Sequence, residues 1–395
     1  MFAEAQEAGN APRAAVTRIG LTRLALTEFR NYRDARLAIG TEPVVLTGPN
    51  GAGKTNLLEA VSFLSPGRGL RGAALTEIDC RTTPGRVGPT TGWAVAAVVA
   101  TCRGALRIGT GRGAAAGERR VVRIDGESAR GPAALAERLG VLWLTPSMDR
   151  LFVEGPSARR RFLDRLVLGV DPAHGSRVAA YEQAFRERSR LLRDGPSDPA
   201  WLTALEEVMA EKGVAVAACR RDAVQQLDQT CAEAEGPFPR ARLALAGTIE
   251  AWLEEMPALA AEGRFASALA ANRACDAQTG GALVGPHRSD LQVSLAEKGI
   301  PAGLASTGEQ KALLISILLA QAKLQRAVRG EPPLLLLDEI SAHLDANRRA
   351  ALFDALIGLD SQTWLTGTDA ALFAPLRRTA RFLSVRDGQL SEAEG

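Results

Sequence analysis

The sequence predicts an α/β fold in which both ends of the chain build a parallel-sheet core around an inserted, mainly helical block. Three observations lead there. A glycine-rich turn, Gly48 to Thr55, stands between the short apolar run Val44–Thr47 and an amphipathic helical pattern. A second apolar run, Leu334–Leu337, ends in the paired acids Asp338 and Glu339. A strand that is apolar on both faces belongs at the centre of a parallel sheet. Between the two, residues 146–274 carry helical periodicity instead.

The chain has 395 residues, enough for a large core and more than one domain. No apolar run approaches the ~20 residues of a membrane span. The densest stretches, Trp93–Cys102 and Leu313–Ala320, read as buried elements. Met1–Ala15, rich in Ala and Glu, lacks an apolar signal region and is expected to be a flexible tail or the product of an early start codon. Cys80, Cys102, Cys219, Cys231 and Cys275 form no CxxC pair and no metal-ligand spacing. They read as reduced thiols of a cytoplasmic protein. Net charge is +3, and almost all the basic residues are arginine. Arginine suits bidentate phosphate contacts, but a GC-rich genome accounts for the bias equally well. Composition alone therefore does not argue for nucleic acid.

In chain order, Thr22–Leu26 alternates as a strand does, and Val44–Thr47 is a buried strand. The helix after the turn opens near Lys54, with Leu57, Leu58, Val61 and Phe63 as its apolar side. The Val/Ala-rich stretch Thr91 to Ile124, broken by Gly, predicts antiparallel strands. From Pro146 the pattern is helical. Tyr181, Ala184, Phe185, Arg188 and Leu192 share one face, and Trp201, Leu205, Val208 and Met209 share another. Pro/Gly clusters around Gly155, Pro172, Gly195, Gly236 and Pro257 predict helices of ordinary length and exclude one long coiled coil. Strand-and-turn character returns near Leu283, followed by a helix over Thr307–Ala327, the run Leu334–Leu337 and an αβ tail. The expected organisation is a tail at 1–17, one lobe (lobe I) from 18–145 and 275–395, and a helical lobe II at 146–274.

Gly48-Pro49-Asn50-Gly51-Ala52-Gly53-Lys54-Thr55 completes the pattern G-x-x-x-x-G-K-[ST] in its required strand–turn–helix setting. Its glycines let backbone N–H groups close around phosphates, and the helix start favours an anion. Lys54 is expected to reach the β- and γ-phosphates of ATP, and the Thr55 hydroxyl to bind Mg²⁺. Asp338, at the carboxyl end of a central strand, lies where ligands bind in such sheets and would assist the same Mg²⁺. Glu339 would position or deprotonate the attacking water.

Ser306-Thr307-Gly308-Glu309-Gln310 precedes the long helix, and Ser306 and Glu309 have the spacing of a capping box. A well-capped helix is a sufficient reading, and such a helix start also presents N–H groups to an anion. This segment resembles the signature motif of ABC-type P-loop ATPases. Ser341-Ala342-His343-Leu344-Asp345 resembles their D-loop, and Thr366-Gly367-Thr368-Asp369 occupies the switch position. The resemblance implies an ABC-type ATPase head as lobe I. It also implies an ATP-dependent homodimer in which Ser306 and Gly308 act on nucleotide bound by the other copy, with Ser341, Asp345, Thr368 and Asp369 nearby.

Three further segments are similar to the RecF family of bacterial replication and repair ATPases. They are Leu24 to Tyr32, Gly155 to Asp164 with Arg159, Arg160 and Arg161, and Val284 to Asp290, where Ser289 departs from the usual acid. The resemblance covers nearly the whole chain from about Arg18. It implies an ATP-dependent protein of recombinational repair, the DNA-damage (SOS) response and replication-fork maintenance. Such a protein would bind duplex DNA near gaps or junctions and work with RecR and RecO to load RecA. Its slow, DNA-stimulated hydrolysis would reset the dimer, and it would have no membrane partner. Arg68 and Arg71, in a Gly-rich loop after the phosphate-loop helix, and Arg159, Arg160 and Arg161 are the candidate DNA contacts. The second group could equally pair with acids between the lobes. His287 and Arg288 read as holding the lobe together, and Tyr32 and Trp143 as core. The other readings are a transporter-associated ATPase, against which the non-His switch position argues, and a nuclease-linked ATPase. The latter would need a cluster of metal-binding acids beyond Arg348, where none is evident.

Overall fold

The computed structural model describes residues 18–80, 92–113, 119–195 and 198–393; the tail expected at 1–17 lies outside the described residues. A hairpin opens the fold, β1 (Gly20–Phe29) and β2 (Tyr32–Ala38). The buried strand β3 (Val44–Thr47) and helix α1 (Lys54–Ser62) follow at the expected bounds. Antiparallel strands β4 (Gly92–Thr101), β5 (Gly104–Gly113), β6 (Val121–Ile124) and β7 (Glu127–Ser128) then join β1 and β2 in a six-stranded sheet, in the order β2-β1-β4-β5-β6-β7. Its last turn is Asp125-Gly126, both at positive φ, which a tight hairpin requires.

After β8 (Val141–Leu144) come α2 (Pro156–Val170), α3 (His174–Asp194) and α4 (Pro199–Ala232). Then follow β9 (Ala241–Ala246), α5 (Thr248–Glu255), α6 (Ala258–Ala271) and α7 (Arg273–Thr279). Strands β10 (Asp290–Leu295) and β11 (Ile300–Pro301) lead to α8 (Thr307–Arg329), β12 (Leu334–Leu337) and α9 (Ala346–Gly358). The chain closes with β13 (Thr363–Gly367), β14 (Arg381–Arg386) and β15 (Gln389–Glu392).

The central sheet runs β15-β14-β3-β13-β12-β8, parallel except for the edge strand β15. Strands from both ends of the chain thus lie side by side. Successive residues point to opposite faces. Val45, Leu335, Leu337 and Leu365 pack with α2, α8 and α9 on one side, while Val44, Leu334, Leu336 and Trp364 pack with α1 and the antiparallel sheet on the other. This is why these strands read as continuous apolar runs.

Three features depart from the expectations. Trp201 and Val208 are 46% and 40% exposed, and the buried side of α4 is Leu202, Glu206, Met209, Ala210 and Gly213. The buried stripe contains a carboxylate, Glu206, which is neutralised by Arg188 and Arg273, so hydropathy alone selects the wrong side. Helix α4 is 34 residues long, about 50 Å at the α-helical rise, because no Pro or Gly cluster interrupts it; Gly213 is buried within it. Strand β9 pairs antiparallel with β10, so a ladder joins the expected helical block to the segment beyond residue 274. Among the described residues no helix is long and apolar enough to cross a membrane.

Candidate nucleotide-binding site

The carboxyl ends of β3, β13, β12 and β8 converge on one edge of the central sheet. The turn from β3 into α1 needs its glycines. Gly48, Gly51 and Gly53 have φ of 149°, 81° and 118°, and a Cβ on Gly48 would lie 2.2 Å from the Val385 carbonyl oxygen. Side chains brace the loop from behind: Asn31 Nδ2 donates to the Ala52 carbonyl (3.0 Å) and the Tyr32 hydroxyl to that of Gly53 (3.0 Å). Lys54 is buried and its Nζ donates to the carbonyls of Gly48 (2.7 Å) and Pro49 (2.9 Å). Burial holds its ammonium pKa below the ordinary lysine value, against the pull of Glu339 and Asp338.

Asp338 follows β12 and meets α1 across the site. The Thr55 hydroxyl lies 3.0 Å from each Asp338 carboxylate oxygen, and the Thr366 hydroxyl donates to Oδ1 at 2.8 Å. Burial pushes the Asp338 carboxyl above its ordinary pKa, and the hydrogen bonds from Thr366 and Thr55 oppose that shift. Glu339 adopts a left-handed backbone, φ 52°, a conformation that costs a non-glycine residue about 1–2 kcal/mol. Its N–H donates to Thr366 Oγ1 at 2.8 Å. The structure therefore brings together Gly48 to Thr55, Asp338 and Glu339, and adds Thr366. The oxygen donors of Thr55 and Asp338 suit a hard cation such as Mg²⁺.

Ser306 caps α8 with a reciprocal bond: Glu309 N–H reaches Ser306 Oγ (3.4 Å) and Ser306 N–H reaches Glu309 Oε2 (2.9 Å). Lys298 pairs with Glu309, and together with Ser306 holds its carboxyl down to about 2. Gln310 is buried, donating to the Ala305 carbonyl at 2.8 Å. Ser306, Thr307 and Gly308 are exposed, and a Cβ on Gly308 would meet nothing within 4 Å. Asp345 caps α9 through Arg348 N–H (2.8 Å), and Asp369 accepts from Ala371 N–H (2.8 Å). Ser341 is buried and Thr368 exposed.

The candidate DNA contacts divide. Arg68 is exposed. Arg71 donates to Asn56 Oδ1 (2.6 Å) and to Glu59 Oε2 (3.0 Å), and Glu59, fully buried, also takes both donors of a fork from Arg30 at 2.8 and 2.9 Å. Asn56 in turn donates to Asn31 at 2.7 Å, which connects Arg71 to the loop brace. Arg159 makes a bidentate pair with Asp290 (2.7 and 2.8 Å), and Arg160 donates to the Ser289 carbonyl (2.8 Å). These two tie α2 to the start of β10, while Arg161 is exposed. His287 bridges Tyr181 of the helical block and the Ala282 carbonyl beyond it. Ser289 is buried and donates to Glu250. Sequence reasoning placed Thr366 in the switch segment and Arg71 among the DNA candidates, but missed the bonds of Thr366 to Asp338 and Glu339 and the pairing of Arg30 and Arg71 with Glu59. The available signals were a threonine near the end of an otherwise apolar strand and a glutamate on the buried side of α1.

Residues 20–389 match the family model described as the RecF/RecN/SMC N terminal domain. The chain is 49% identical over 378 residues to "DNA replication and repair protein RecF" of Rhizobium meliloti (strain 1021), covering 95% of this chain and 99% of that protein. It is 50% identical over 380 residues to the protein of the same name from Mesorhizobium japonicum, covering 95% and 98%. Among solved structures, the recombination mediator protein RecF-ATPrS in the RecFOR pathway superposes with a TM-score of 0.82 at 21% identity, over 95% of this chain and 98% of that one. An Smc head domain derived from Pyrococcus furiosus gives 0.53 at 15% identity, over 95% and 96%. The fold is that of an ABC-type ATPase head with an inserted block.

Proposed function

Because this chain belongs to the RecF family of DNA replication and repair proteins, we propose that it is an ATP-dependent DNA-binding ATPase that works as a homodimer. The observation that carries this is the meeting of Thr55 and Asp338 beside buried Lys54. The loop Gly48 to Thr55 binds the phosphates of ATP through backbone N–H groups, and Lys54 neutralises their charge. Thr55 and Asp338 hold Mg²⁺, which when bound offsets the charge of the phosphate oxygens. Glu339 orients the attacking water and accepts its proton.

Ser306, Thr307 and Gly308, exposed at a helix start, cap the nucleotide held by a second copy. Residues 18–145 and 275–395 form the ATPase lobe and 146–274 the helical lobe, joined through β9–β10 and the Arg159–Asp290 pair. The ATP-bound pair binds duplex DNA near single-strand gaps or at junctions. Slow, DNA-stimulated hydrolysis releases it. Arg68, Arg71 and Arg161, all exposed, are the phosphate contacts, and Arg71 is also paired with Glu59 beside the loop. RecR and RecO are its partners in loading RecA, in keeping with the RecFOR pathway named for a structural neighbour, and it acts in the cytoplasm.

The test is binding to a gapped duplex with and without ATP at two salt concentrations. ATP-dependent binding that weakens with salt supports the reading. No binding under either condition removes the DNA function and leaves only the nucleotide site.

A further inference from the structure

We infer that Thr366 is a positioning residue for hydrolysis: through one hydroxyl it holds both acids of the site in working geometry. The inference rests on the ATPase reading above. In the parallel register Leu337 lies opposite Leu365, so the next residues along the two strands, Asp338 and Thr366, stand level at the sheet edge. Thr366 is 1% exposed among Trp364, Leu365 and the leucines of β12. A valine would fill that space equally well, so packing does not account for the hydroxyl.

The hydroxyl is used twice. Its proton goes to Asp338 Oδ1 at 2.8 Å, and its oxygen accepts the Glu339 N–H at 2.8 Å. The first bond fixes the carboxylate that Thr55 also touches. The second anchors the peptide at which the chain turns into the left-handed conformation of Glu339, φ 52°. That turn sets the direction of the Glu339 side chain. A group that fixes one acid's rotamer and the other's backbone acts on the metal and the water together, while its own hydrogen bonds go to the two acids and not to the phosphate loop. Loss of the hydroxyl should therefore separate catalysis from ATP binding.

The experiment compares the full-length wild-type protein with T366V and T366S, measuring kcat, KM for ATP, the Mg²⁺ activation midpoint and the thermal unfolding midpoint. T366V should keep KM within about twofold while kcat falls by about 100-fold, the scale of small misplacements in active sites, and the Mg²⁺ midpoint should rise. T366S, which keeps the hydroxyl, should recover most of kcat. T366C, with similar volume and only a weak donor, serves if the valine protein does not fold; lost turnover with a normal unfolding midpoint supports the inference. Wild-type kcat and Mg²⁺ midpoint in T366V or T366C would overturn it, as would equal failure of T366S and T366V in step with stability. Absence of turnover in the wild-type protein would instead overturn the ATPase reading on which the inference stands.

Discussion

Thr55 and Asp338 are 283 residues apart in the chain, yet the threonine hydroxyl lies 3.0 Å from both carboxylate oxygens. One stands at the start of α1 and the other at the end of β12. The contact exists only because β3 and β12 flank β13 in one parallel sheet, and so it joins the fold to the chemistry. Lys54 is buried beside it, as the proposed phosphate site requires. Lys54→Met should leave the fold intact but abolish nucleotide-dependent dimerisation and DNA binding, lowering ATP turnover by at least about 100-fold. Sedimentation and DNA-binding assays with and without ATP check this; unchanged behaviour would contradict it.

Glu339 is assigned the water. Glu339→Gln keeps its size and its backbone turn but removes the base. Turnover should fall by about 10²–10⁴-fold, while ATP and DNA binding persist. The variant should therefore remain on gapped DNA in the presence of ATP, seen as a slowed off-rate. Rapid release would show that hydrolysis does not govern dissociation.

Gly308 isolates the role of the exposed helix start. A Cβ there meets nothing within the chain, so Gly308→Asp should leave the unfolding midpoint unchanged. Its carboxylate would repel the phosphate held by a second copy. Binding of a fluorescent ATP analogue to the monomer should persist while hydrolysis is lost, and hydrolysis at the wild-type rate would remove the motif from the mechanism.

Arg188 tests the helical block. Its guanidinium is 1% exposed and donates to Glu206 (2.8 Å), Asp276 (2.8 Å) and the Leu269 carbonyl (2.7 Å). Arg188→Met leaves two carboxylates buried with fewer partners, and should cost about 3–5 kcal/mol in denaturant unfolding of that block. Arg273 still pairs with Glu206, so the larger loss falls on buried Asp276, which keeps the Leu283 N–H. A cost below about 1 kcal/mol would place the cluster on the surface scale of ion pairs.

The cap of α8 carries a pH signature. Lys298 and Ser306 lower the Glu309 pKa from 4.5 to about 2. A carboxyl whose pKa is depressed on folding contributes stability above its unfolded value, and loses it as pH falls through the folded one. The helix start should therefore loosen between about pH 4.5 and about 2. NMR titration of the Glu309 carboxyl checks this, and Lys298→Ala should move its midpoint upward. A midpoint near the ordinary value in the intact protein would contradict the cap geometry.

The convergence of residues at the proposed nucleotide site was legible because those residues obey local rules. Gly48 to Thr55 needs positive φ and a helix start, and Leu334–Leu337 needs burial on both faces; each leaves a pattern within a few residues. What escaped depends on distant partners. Glu206 is buried because Arg188 and Arg273 reach it, so Trp201 and Val208 took its place in the hydropathy reading. Thr366 stood inside a segment singled out for its switch position, yet its bonds to Asp338 and Glu339 follow from strand register. Arg159 and Asp290 lie 131 residues apart, and only the fold makes their pair.

In the proposed function, ATP is held between two copies of the chain. Light scattering of the Glu339→Gln protein, with and without ATP and Mg²⁺, tests it most directly, because slowed hydrolysis preserves whatever assembly the nucleotide builds. The mass should double with ATP, and adding Gly308→Asp to the same chain should return it to one copy. A mass that stays at one copy with saturating ATP, or a doubling indifferent to Gly308→Asp, would contradict that proposal.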